Sequence, residues 1–126
     1  MIVWNEINNH MKTILRYIAA LGDDIEYIIG KHANDNFEII DNSKENDLWF
    51  HINNEPSGHV IAIIPDDITF SKKQLRQIIT QGALVCKEHS KYKSQRNLEV
   101  VYASVKNVEK TDIIGKVMIT NSKIIS

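Results

Sequence analysis

Two pairs of strand-like runs, each joined by a connection too short to cross a sheet, restrict the folds open to this chain more than any other feature. Residues 13–21 and 25–29 are rich in apolar side chains and are parted by Gly22-Asp23-Asp24, residue types that tolerate the unusual backbone angles of a turn. Residues 48–52 and 59–64 flank a loop holding Asn53, Asn54, Pro56 and Gly58, and Pro65-Asp66-Asp67 ends the second run. Parallel neighbours need a crossover of about a dozen residues or more, so both pairs are antiparallel.

Helical signals fall between and after these pairs. Ala33, Phe37 and Ile40 share one helical face and predict a short helix over 33–42, broken by the polar residues 42–46. Ser71 and Gln74 stand at the spacing of a capping box. Leu75, Ile78, Ile79, Gly82, Ala83 and Cys86 then recur at steps of three and four, predicting a helix to near Ser90. Residues 98–105 are apolar on both faces and predict a central strand. Residues 116–120 and 123–125 predict two more, with Asn121-Ser122 between them as a bend or turn. Trp4, Ile7 and Met11 predict a helix over 3–11, within an N-terminal extension spanning 1–12. The expected architecture is a single α+β domain over residues 1–126: a mostly antiparallel sheet of five to seven strands with two main helices packed on it.

The totals bound the function class. A chain of 126 residues can bury enough surface to stand without staples. Its one cysteine, Cys86, forms no internal disulfide, which suits a reducing compartment. The longest apolar run, 60–64, falls far short of the ~20 residues a membrane span needs. Nor does the N-terminus show a basic lead or signal-peptide core. A cytoplasmic protein with no membrane partner is expected. Net charge is −1, yet residues 1–70 hold 4 Lys/Arg against 12 Asp/Glu, and residues 71–126 hold 11 against 4. Either one face carries positive charge, or the halves interleave and the charges mix.

Three sets of residues carry possible chemistry. On alternating strands Trp49 and His51 share a face, as do His59, Ile61 and Ile63. A loop centred on Glu55 sets His51 opposite His59 and Trp49 opposite Ile61. Such a cluster can stack a base or hydrogen-bond a phosphate or base edge. On the residues alone, the commoner meaning is a pair of satisfied core histidines that tie down the 56–58 loop. A metal site is the weaker idea: zinc needs three or four ligands. His10, His32, His51, His59 and His89 form no ligand motif, and nothing in the spacing demands Asp47 as a third ligand. The second set is a basic run, Lys72, Lys73, Arg76, Lys87, Lys91, Lys93 and Arg96, with Glu88 its one acid and Tyr92 among it. That composition suits a tracker of phosphate backbone, against the ordinary meaning of surface lysines as a solvated helix face. The third set is catalytic look-alikes. Ser90-Lys91-Tyr92-Lys93 spells Ser-x-x-Lys without its companion motifs, Gly30-Lys31 lacks the glycines of a P-loop, and Cys86 sits on the apolar stripe as an inert core thiol.

Taken in order, the motifs resemble the NFACT-R domain. The resemblance runs through Gly30-Lys31-His32-Ala33-Asn34-Asp35-Asn36, then Asp47-Leu48-Trp49-Phe50-His51, then Pro56-Ser57-Gly58-His59-Val60. Ser90-Lys91, Val100-Val101-Tyr102 and Gly115-Lys116-Val117 follow, so that it covers residues 13–126. His32 stands where asparagine is common, and Pro-Ser-Gly-His replaces the frequent Pro-Gly-Ser-His. The resemblance implies a non-catalytic RNA-binding module, without cofactor or metal, for tRNA or rRNA in translation or ribosome-associated quality control, in the form of a stand-alone R domain. Lys31, Trp49, His51 and His59 would form its local site. Lys72, Lys73, Arg76, Lys87, Lys91, Lys93 and Arg96 would contact the RNA backbone. Two alternatives stay open: a protein-interaction module docking on a ribosome or partner protein, and a metal-dependent or hydrolytic enzyme around His51 and His59.

Overall fold

The computed structural model describes residues 11–126; apart from Met11, the helix expected over 3–11 lies outside them. The described residues form a single α+β domain with a six-stranded antiparallel sheet, a separate two-stranded sheet and two helices. β1 (Lys12–Ile18) and β2 (Asp23–Ile29) form the first hairpin, followed by α1 (Ala33–Asp41). β3 (Leu48–Ile52) and β4 (Val60–Ala62) form the second, followed by α2 (Lys72–Glu88). β5 (Val100–Ser104), a 3-10 turn (Val105–Asn107), β6 (Val108–Lys110), β7 (Val117–Ile119) and β8 (Lys123–Ile125) complete the chain. The main sheet runs β1-β2-β4-β3-β5-β8, and β6 pairs with β7.

One local expectation changes. The first turn occupies residues 19–22 rather than 22–24. Leu21 and Gly22 both donate their N–H to the Ile18 carbonyl at 2.9 and 2.8 Å, and Gly22 takes a positive φ of 71°, a conformation glycine enters without steric cost. β5 is interior to the sheet, as expected, lying between β3 and β8; it is apolar on both faces because both faces of the sheet are covered. Between β7 and β8 the chain bends, and the two strands pair with different neighbours. Asn121, at φ 52°, sits between them, and the chain leaves β6 to close the main sheet against β5.

The sheet is the middle of three layers. On one face Tyr27, Ile29, Phe50, Ile52, Val60 and Val100 meet α2 through Ile78, Ala83, Val85 and Cys86. Leu75, expected on that stripe, is exposed, and Val85 takes its place in the core. The capping box forms: Ser71 Oγ accepts from Gln74 N at 3.1 Å, and Gln74 Oε1 accepts from Ser71 N at 2.9 Å. Tyr27 donates its hydroxyl to the Ile78 carbonyl at 2.8 Å, and burial pushes that phenol's pKa upward. On the opposite face Ile28, Trp49, Ile61 and Ala103 are covered by Ile39 and Ile40 of α1 and by Val108, Val117 and Ile119 of the small sheet. The strand alternation that parts Phe50 from Trp49 therefore sends the two aromatics into different cores.

Candidate nucleic-acid interface

The register between β3 and β4 centres on Glu55, as the loop spacing implies: Trp49 faces Ile61 and Phe50 faces Val60. One step beyond the ladder, the His51 and His59 rings lie 5.2 Å apart between centroids. Trp49 stacks near-parallel to His51 at 5.7 Å and meets His59 edge-on at 5.2 Å. The cluster is held by backbone. Asn36 Oδ1 accepts from His59 N at 3.0 Å, and the His59 carbonyl accepts from Gly30 N at 2.9 Å. Gly58 lies so close to Gly30 that an added Cβ would stand 2.2 Å from the Gly30 oxygen. Ser57 Oγ accepts from Ile52 N at 3.1 Å.

Burial divides the trio. Trp49 is 1% exposed and His59 2%, whereas His51 keeps some surface. Neither enclosed ring offers a face to an incoming base in this form. The two are also not satisfied core residues, because Trp49 Nε1 and His59 Nδ1 are buried without hydrogen-bond partners. His51 Nδ1 donates to the Ile52 carbonyl at 2.6 Å, which leaves Nε2 as the acceptor in the neutral ring. Burial lowers the His51 pKa against the raising effect of that bond. Burial, and then the neighbouring His51, push His59 down to about 3. Both rings are therefore neutral near pH 7.

Beside the trio, the loop ends converge on an open cleft of about 960 Å³. Lys31 enters from the loop before α1, His89 and Lys91 from the end of α2, and Lys116 from the segment before β7. Sequence reasoning passed over Lys116 and His89; the Gly115-Lys116 pair beside a strand was the available signal for the former. Among the basic run, Lys72, Lys73 and Arg76 are exposed at the start of α2, whereas Lys87 lies in its last turn. Fifteen residues of helix separate Lys72 from Lys87, about 22 Å, so the run is two groups rather than one patch. Lys91, Lys93 and Arg96 are exposed in the loop after α2, and of these Lys91 lines the cleft. Tyr92 packs against the core with the Lys91 ammonium 5.4 Å from its ring centroid.

The remaining candidates are structural. Asp47, 1% exposed, accepts from Ile64 N at 2.9 Å and Lys44 N at 2.8 Å and pairs with the Lys44 ammonium, tying the entry of β3 to the exit of β4. Ser90 donates to the Lys87 carbonyl at 2.9 Å and closes the end of α2. Cys86 is buried, and burial pushes its thiol up to about 12. Among the described residues no three His, Cys, Asp or Glu side chains gather as metal ligands, and no helix is long and apolar enough to cross a membrane.

A family model described as the NFACT protein RNA binding domain matches residues 16–125. The fold is similar to the solved C-terminal part of the fibronectin/fibrinogen-binding protein from Streptococcus suis, with a TM-score of 0.69 at 24% identity over 88% of this chain. The match spans 43% of that solved chain. No curated protein matches.

Proposed function

We propose that this chain, which belongs to the NFACT protein RNA-binding domain family, is a non-catalytic cytoplasmic module that binds tRNA or rRNA and acts in translation or ribosome-associated quality control. The observation that carries the reading is the cleft in which Lys31, Lys91 and Lys116 converge from three separate segments beside a neutral His51. Lysines on separate segments that face one groove can follow a phosphate chain, and such contacts supply most of the sequence-independent affinity for nucleic acid. Glu55 is the acid on that cleft. Nearby Glu88 is paired with Arg16 of β1 and so offers little repulsion.

The test is binding of tRNA and of large-subunit rRNA to the wild-type chain and to a Lys31→Glu/Lys91→Glu/Lys116→Glu variant. The side chains of these residues are exposed, so the fold should survive their reversal. Loss of RNA binding by more than tenfold is expected. Unchanged affinity would count against the RNA reading. Capture of ribosomes or a partner protein that survives the reversal would favour a protein-docking module instead.

A further inference from the structure

Beside His51 lies a second cavity of about 590 Å³, lined by the main sheet and the segment leading through β7. Trp49, His51, His59 and Val101 form its inner side, and Lys116 and Val117 its outer wall. His51 and Lys116 also line the basic cleft, so the two spaces are continuous. Two buried polar atoms without partners, Trp49 Nε1 and His59 Nδ1, belong to side chains of its inner wall. Leaving such atoms unpaired is costly. One bridging water takes up about 30 Å³ of liquid volume, far less than this cavity, whose size is that of a small-molecule site.

The chemistry of the wall narrows the occupant. Trp49 presents only a donor, His51 Nε2 an acceptor, and the His59 nitrogen either, according to tautomer. Both imidazoles are neutral near pH 7, for the reasons of burial given above. A phosphate would find no charge on the inner side; the one charged group of the lining is Lys116 of the outer wall, shared with the basic cleft. Uncharged donors and acceptors set among apolar side chains match the edge of a nucleobase, which always offers both. Resting on the RNA-binding reading, we propose that this cavity receives an unpaired base of the bound RNA. Trp49 Nε1 donates to a base acceptor, His51 Nε2 accepts from a base donor, and the attached phosphate stays in the Lys31–Lys91–Lys116 cleft. Both unpartnered nitrogens are closed off from solvent, so the base reaches them as the half-exposed wall over 115–119 yields. Recognition is then by in-plane hydrogen bonds rather than by stacking on an open aromatic.

The experiment follows the indole N–H signals of the full chain by two-dimensional NMR as hexanucleotides of each base, and an abasic oligomer with the same number of phosphates, are added. There are two tryptophans, and Trp49→Phe assigns the signal. A base-bearing oligomer is expected to shift the Trp49 N–H and to bind about tenfold tighter than the abasic one, the worth of one or two hydrogen bonds. That ratio should fall toward one in Trp49→Phe. If both oligomers bind equally and the Trp49 signal stays put, the base cavity is overturned while the basic cleft stands as an RNA site. If neither binds, the cavity and the RNA reading fall together. Should Trp49→Phe not fold, the wild-type shift and the affinity ratio decide alone.

Discussion

His59 shows how one residue can carry fold and site together. Its backbone is clamped by Asn36 and Gly30, and its ring is held neutral, with a pKa pushed down to about 3 by burial and by His51. An unfolded histidine titrates near 6.5. Between those two values the unfolded chain binds more protons than the native one, so stability is complete above pH 6.5 and declines as pH falls toward 3. From pH 7 to pH 5 the expected loss from this residue is about 2 kcal/mol. Denaturant unfolding at the two values should show it, and His59→Gln should flatten the dependence; parallel curves for the two proteins would refute the assignment. The pairing of His51 with His59 was legible in the sequence, because strand alternation and a loop centred on Glu55 leave little freedom of register. Burial in a core was the commoner meaning of such a pair; the elements that impose it were only partly legible. β7 falls inside the strand expected over 116–120, whereas β6 is three residues long, too short to leave a periodicity. Lys116 was missed because its place on the cleft depends on where those short strands dock.

At the scale of elements, the main organising contact is α2 against β3. Its capping box and apolar stripe were readable, since both rest on local spacing. The exchange of Leu75 for Val85 on the buried face was not, since it depends on how the helix is rotated against the sheet. Gly82 sets that rotation. A Cβ built there would lie 2.2 Å from Phe50 Cζ and 2.6 Å from the adjoining ring carbons, and Phe50 is fully buried. Helix propensity alone says that Gly82→Ala stabilises by about 1 kcal/mol. The packing says the reverse, because an overpacked core forces its neighbours off their rotamers at roughly 1–3 kcal/mol. Thermal unfolding of Gly82→Ala should therefore show a midpoint several degrees lower, and a raised midpoint would mean that Phe50 moves aside freely. Gly22→Ala tests a different mechanism. No atom lies within 4 Å of an added Cβ there, and the positive φ is the obstacle.

For the whole molecule, the charge split along the chain is not the charge split in space. The cleft draws Lys31 from the acidic half and joins it to Lys91 and Lys116 from the basic half. Lys72, Lys73 and Arg76 stand at the other end of α2, where Gln74 bonds to the Ala20 carbonyl of the first turn at 3.1 Å, and Asp23 and Asp24 follow that turn directly. With a net charge of −1, long-range attraction of RNA to the whole surface is weak, and local groups must supply the phosphate contacts. The logarithm of affinity falls with the logarithm of salt by about 0.7 per phosphate neutralised on a single strand and about 0.9 on a duplex. Neutralising the cleft with Lys31→Gln/Lys91→Gln/Lys116→Gln should make that slope shallower by about 2, the loss of up to three contacts. The matching variant at the helix start, Lys72→Gln/Lys73→Gln/Arg76→Gln, should change it by less than about 1, because that end of α2 lies a helix length away from the cleft. Fluorescence anisotropy with labelled tRNA across roughly 50 to 200 mM salt separates the two. If the helix-start variant loses the larger slope, RNA lies along α2 rather than in the cleft. The basic run would then be the interface, with the His51 side of the molecule serving only the fold.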